Sequence, residues 1–172
     1  MNNNALNSDQ EIKINLGETY FVIDPLYVSD IKVKLSNSDC PNLDADIRKV
    51  FPYTKIPFSK YYAREAVVRI NQVKKLDYSE KFGGNPSVFC IDSGSFILIN
   101  ESIFWEFIKD FDYDDLYNGS EIIDFSYWKD LSLKYGEGNI GLIIAPGINS
   151  GFEFDGDGTY TIDEGFYKSL NQ

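Results

Sequence analysis

An α+β fold, built on a mostly antiparallel sheet with its helices gathered on one side, is predicted by three observations. The chain up to Asn100 carries apolar residues at period two between turn residues, two later stretches carry them at three-to-four spacing, and strand patterning returns near the carboxy end. The 172 residues are 43% apolar and 16% aromatic, enough to bury a core without disulfide or metal staples. The expected organisation is a loose polar lead-in over residues 1–10 and a single α+β domain over 11–172.

Taken in order, Ile12 and Ile14 alternate with Lys13 and Asn15, Gly17-Glu18 makes a turn, and Thr19 to Ile23 is a β-branched and aromatic run ended by Asp24-Pro25. A hairpin is expected there. Ile31, Val33 and Leu35 alternate with Lys32 and Lys34, which predicts another half-exposed strand, and Ser36 to Leu43 is loop by composition. Asp44 to Phe51 can form a helical turn, confined by Pro52, and the two prolines at 52 and 57 force Tyr53 to Ile56 toward extended structure. Glu65 to Val73 reads as one strand, with Ala66, Val68 and Ile70 on one face. Ser87 to Asn100 reads as a hairpin of Val88 to Ile91 and Phe96 to Ile99 about the turn Asp92-Ser93-Gly94-Ser95.

The period then changes. Ile103, Phe104, Phe107, Ile108 and Phe111 predict a helix over 101–111 with Asn100 or Ser102 as its cap. Ile122, Ile123, Tyr127, Trp128, Leu131 and Tyr135 predict a second over 120–135, closed by Gly136. The strongest strand pattern is Ile140 to Ala145, a continuous apolar run between Gly138 and Pro146-Gly147, expected as a central strand buried on both faces. Phe152 and Phe154, then Tyr160 and Ile162, alternate about Asp155-Gly156-Asp157-Gly158, which predicts a closing hairpin before a short tail over 165–172.

Four of these pieces, Asp24-Pro25, Ile56-Pro57-Phe58, Asp92-Ser93-Gly94 and Gly156-Asp157-Gly158-Thr159-Tyr160, together resemble an uncharacterised bacterial family of small β-rich proteins. Where that family's pattern has a tryptophan-containing turn before the Gly-Asp-Gly segment, this chain has Asn149-Ser150-Gly151-Phe152. The resemblance implies a β-rich fold and carries no activity with it.

Composition narrows function by exclusion. A net charge of −11 opposes direct binding to nucleic acid or anionic membrane and favours a cationic partner. The chain has no histidine, which removes the commonest general base and metal ligand and every Ser-His or Cys-His nucleophile pair. Cys40 and Cys90 form no CxxC spacing and read as buried or idle thiols of a reducing compartment. With no basic-then-apolar leader and no apolar run of membrane-spanning length, the expected location is the cytoplasm.

No catalytic residue, metal ligand or cofactor is assigned. Asp155-Gly156-Asp157-Gly158-Thr159 alternates carboxylates as a cation loop does, but an EF-hand numbered from Asp155 would put Tyr160 at the glycine position and Phe166 at the glutamate position, so it reads as a turn. Asp92-Ser93 places a serine beside an acid without a histidine, and also reads as a turn. Gly136-Glu137-Gly138 follows a helix where a phosphate loop would open one.

Charge distribution is more informative. Arg48 to Lys81 carries nine basic residues against three acids, while Glu101 to Leu131 carries nine acids against Lys109 and Lys129. Between the two expected helices, acids interleave with tyrosines, so Asp110, Asp112, Tyr113, Asp114, Asp115, Tyr117 and Glu121 form a candidate patch for a basic protein, with Glu153, Asp155 and Asp157 as a second. The bland alternative is a solvated loop balanced by the basic segment. The resulting expectation is a small acidic inhibitor, of the immunity-protein kind, that occludes a basic toxin or effector such as a nuclease, and not an enzyme. A nucleic-acid mimic of phage or mobile-element origin, a carboxylate-dependent hydrolase and a homo-oligomeric structural module are the alternatives.

Overall fold

The computed structural model describes residues 10–36, 53–60, 63, 65–76, 88–117 and 122–163. The lead-in up to residue 9, the helical turn at 44–51, Cys40, Glu121, the start of the second helix at Ser120 and the tail from Gly165 lie outside them. The fold is mixed α+β, and every strand pair among the described residues is antiparallel.

A four-stranded sheet occupies the middle, ordered β3-β2-β7-β8, where β2 is Glu18–Ile23, β3 Tyr53–Phe58, β7 Ser95–Asn100 and β8 Ile140–Ile144. Strands β2 and β7 are apolar on both faces, so both faces must be covered. Tyr20, Val22, Phe96 and Leu98 face a second β layer, made of a pair β1-β4 (Glu11–Lys13 and Val67–Arg69) and a triple β5-β9-β6 (Val73–Lys75, Gly158–Ile162 and Phe89–Ile91). Phe21, Ile23, Ile97 and Ile99 face helices α1 (Val28–Ser36), α2 (Phe104–Asp110), α3 (Tyr113–Tyr117) and α4 (Phe125–Tyr135). The period of two thus sorts each central strand's side chains into two separate cores. Phe21 stacks on Phe104 with ring centroids 3.8 Å apart, and removing such a buried ring costs about 3–5 kcal/mol.

The helices on one side of the sheet agree with expectation, and their ends follow local chemistry. Asn100 accepts the Ser102 amide, opening a 3-10 turn that runs into α2. Asp124 accepts the Ser126 and Tyr127 amides at the start of α4, and Gly136 ends it at φ 90°. The second helix therefore begins later than 120, and the stretch before it holds the extra helix α3, capped by Asp112 through the Asp114 amide at 2.8 Å.

Three expected hairpins are not hairpins. The strand pairs β1 and β2, and β6 and β7, lie in different sheets, and Phe152 to Phe154 is not a strand: β9 pairs instead with β5 and β6. The turns at Gly17 and Gly94, both at positive φ, work as corners between layers, because β2 and β7 are apolar on both faces and the strands before them help to build the layer that covers one of those faces. The strand expected at Ile31, Val33 and Leu35 is helix α1: Asp24 caps and Pro25 opens a 3-10 turn leading into it, Val28 and Ile31 are buried at i, i+3, and Val33 is exposed. The strand expected over Glu65 to Val73 is broken by a 3-10 turn at Ile70–Gln72, closed by the Arg69 amide on Gln72 Oε1 at 2.6 Å, which carries the chain from one small sheet to the other. Strand β8 is buried at Ile140, Gly141 and Ile143 but only half-buried at Leu142 and Ile144, and among the described residues it is an edge strand rather than a central one. No helix among the described residues is long and apolar enough to cross a membrane.

Candidate partner-binding surface

The corner Asp92-Ser93-Gly94 between β6 and β7 organises the site. Asp24, fully buried, accepts the amides of Asp92 and Ser93 on one carboxylate oxygen, both at 2.7 Å, and the Leu26 amide and Ser93 hydroxyl on the other, at 2.8 and 2.6 Å. Four donors occupy the four acceptor sites of a carboxylate. Asp24 is therefore a clamp that ties the end of β2 to the corner, and Gly94 at φ 75° completes the reversal. From Ser93 a chain of hydroxyls runs 3.2 Å to Ser95 and 3.0 Å on to Tyr117 of α3. Tyr27 donates to Asp92, an interaction that pushes its phenol up to about 12, with desolvation and the charge of Asp92 adding to it.

These links bring together residues that the sequence keeps apart. Tyr113 and Tyr117 lie ring to ring at 4.8 Å, and desolvation raises the Tyr113 phenol, with the neighbouring Tyr117, Asp24 and Asp114 contributing. One step beyond the last paired couple of β6 and β9, Ile91 with Gly158, the two strands carry Asp92 and Asp157. The same corner thus has Asp157 on its β-layer side and α3 on its helical side.

The structure divides the predicted acids into two kinds. Asp110 pairs with Lys134 at 2.8 Å and accepts the Tyr135 hydroxyl at 3.0 Å; the Lys134 bond is the main cause holding its carboxyl below the usual range. Glu153 pairs with Lys74 at 3.4 Å and accepts the Lys75 amide, and Asp155 pairs with Lys75 at 2.9 Å, which chiefly lowers its pKa. Asp112, Asp114, Asp115 and Asp157 meet no cation within ion-pair distance among the described residues. Asp114, Asp115 and Asp157 are exposed, while Asp112, Tyr113 and Tyr117 are half-buried. The second candidate patch is therefore largely neutralised by β5, while the first is closed at Asp110 and open, among the described residues, at Asp112, Asp114 and Asp115.

Sequence reading missed Asp24 and Tyr27 as site residues. The signal for Asp24 is its place before Pro25 at the end of an apolar strand, a helix-start pattern that also buries the carboxylate. Nothing local marks Tyr27, whose partner is sixty-five positions away. The Asp92-Ser93 pair is a clamped corner, and no group of three or more acids or thiols among the described residues could hold a metal ion. Cys90 is an exposed free thiol, 3.6 Å from the Thr159 hydroxyl, rather than a buried one. Compared with known proteins, the chain matches no family model, no curated protein and no solved structure.

Proposed function

We propose that this chain is a small acidic binding protein of the inhibitor type, which covers the working surface of a basic protein partner with α3 and the adjoining corner. The observation that supports this most is the open charge of Asp112, Asp114 and Asp115 beside Tyr113 and Tyr117, on a molecule whose other candidate acids are mostly paired internally. Carboxylates that no internal cation neutralises steer a cationic surface into place and fix its register, while tyrosines supply contact area at small entropic cost. Asp92 and Asp157 extend the same surface. A toxin or effector such as a nuclease, whose substrate site is basic because it holds phosphates, is the partner chemistry such a surface fits, and occlusion of that site is the mechanism. This is the manner of a bacterial immunity protein acting in the cytoplasm.

The test is capture from the native host's lysate with the tagged protein as bait, at low and high salt. Recovery of a basic protein whose capture weakens with salt, and fails with the bait carrying Asp112→Lys, Asp114→Lys and Asp115→Lys, supports the reading. Capture indifferent to these three reversals overturns the assignment of this surface.

A further inference from the structure

Among the described residues, strand β8 leaves one backbone edge of the central sheet open, at the opposite end of the strand order from β3. On its inner side the Asn100 amide donates to Asn139 O and the Ala145 amide to Gly94 O, so the odd-numbered residues turn their backbone groups toward β7. The even-numbered ones turn theirs outward. Of these, Ile144 is satisfied by a side chain: Gln10 donates its amide nitrogen to Ile144 O at 2.7 Å and accepts the Ile144 amide at 2.8 Å. A carboxamide has the donor and acceptor of a peptide group, so Gln10 occupies the place of one residue of a neighbouring strand. Ile140 and Leu142 have no hydrogen-bond partner for their outward groups among the described residues.

Those groups open into a groove of about 520 Å³. Ile12 and Lys13 of β1 form one wall and Trp128, Lys129 and Leu133 of α4 the other, with Leu142 between them. The walls belong to the two layers that flank the sheet, so the groove lies in the plane where a fifth strand would run. Its apolar wall is unusually open to solvent, with Leu133 73% exposed and Phe125 36%. Its charges are mostly spoken for: Lys13 pairs with Glu137 and Glu11 with Arg69. Lys129 alone among the groove's charged side chains has no ion partner among the described residues.

We infer that this groove binds an extended segment of a partner protein, which adds to β8 as an edge strand through the backbone of Ile140 and Leu142 and sets an acidic side chain against Lys129. Main-chain hydrogen bonds give such a complex its affinity, and the alternating pockets give it its selectivity. Valine-sized side chains on one face of the segment meet Ile12, and the acid on the other meets α4. The site is separate from the acidic surface around α3, and an acidic ligand would be repelled there.

The probe is a capped seven-residue peptide of alternating valine and threonine with aspartate at its centre, together with two versions N-methylated on alternate amides. Binding is expected to shift the Ile140 and Leu142 amide resonances and slow their hydrogen exchange, and one of the two methylated versions is expected to lose binding. Lys129→Glu is expected to weaken the peptide about two- to fivefold, as for a single exposed ion pair, and lysine at the centre of the peptide to restore it. Equal binding of both methylated versions, or unchanged Ile140 and Leu142 resonances, overturns the proposal. So does sedimentation of the free protein as a dimer with those two amides already protected, which gives the groove to a second copy of the chain.

Discussion

The segments 112–115 and 153–157 look alike as sequence, each a short run of acids set among aromatic residues, and they differ entirely as surfaces. In the second, β9 pairs with β5 through Lys74 with Thr161 and Lys75 with Tyr160, and this brings two lysines onto Glu153 and Asp155. In the first, α3 is placed by Leu116 in the helical core and by Tyr117 on the corner, and among the described residues no cation lies within ion-pair distance of Asp112, Asp114 or Asp115. The difference teaches that charge along a chain becomes charge on a surface only after long-range pairing has cancelled part of it.

The most disruptive way to break this comparison is to release the corner that gathers the open acids. Asp24→Ala leaves two corner amides, the Leu26 amide and the Ser93 hydroxyl without their acceptor, and a loss of about 3–5 kcal/mol is expected in urea unfolding. Next comes the charge itself. Reversal of Asp112, Asp114 and Asp115 to lysine is expected to weaken a captured basic partner by about a hundredfold or more, while Glu153→Lys with Asp155→Lys is expected to change it less than about threefold, both read by titration at low salt. Comparable losses from the two sets would erase the distinction. Converting the closed patch into an open one is a smaller perturbation: Lys74→Met with Lys75→Met is expected to speed association with that partner about two- to threefold at low salt, and to cost under about 1 kcal/mol of stability because both ion pairs are half exposed.

Titration sharpens the same contrast. The carboxyls of Asp110 and Asp155 are held below their ordinary value, so their contribution to stability is complete above about pH 4 and is lost as pH falls through the depressed folded values. Unfolding midpoints followed downward from pH 6 are expected to fall less steeply below pH 4 in a Lys75→Met, Lys134→Met variant than in the parent. Tyr27 is the opposite case. Its phenol is raised to about 12 by Asp92, so the bond it donates is present below about pH 10 and is lost as pH rises through 12. Phenolate absorbance is expected to show one late-ionising tyrosine fewer in Tyr27→Phe.

Much of the element list was legible, because strands and helices write their faces into local periodicity. The stripe from Ile103 to Phe111 and the caps at Asn100 and Gly136 needed no partner to be recognised. The miss at α1 has a local cause: Ile31, Val33 and Leu35 alternate like a strand, and only Val28 three positions before Ile31 reveals the buried helical face. The missed pairings have a different cause. A turn such as Gly17 or Asp92-Ser93-Gly94 looks the same whether the next strand stays in its sheet or leaves it, and what decides is whether the strand it joins is covered on both faces. In the candidate site, the open acids of α3 were legible as composition, whereas Asp24 was legible only as a helix start and Tyr27 not at all, since their partners at the corner lie sixty-five or more positions away.

By itself, then, the sequence determined the α+β class, most strand and helix positions, the strong negative charge and the absence of any histidine chemistry, all of which depend on residue type and spacing along a few turns of chain. Tertiary structure alone decided that, among the described residues, the strands divide among three sheets, that β8 lies at an edge with Gln10 across part of it, and which acids keep their charge open. The physical reason is range. Burial periodicity is fixed within about ten residues, but the Lys75 to Asp155 ion pair joins positions eighty apart, and only the folded core sets where they meet.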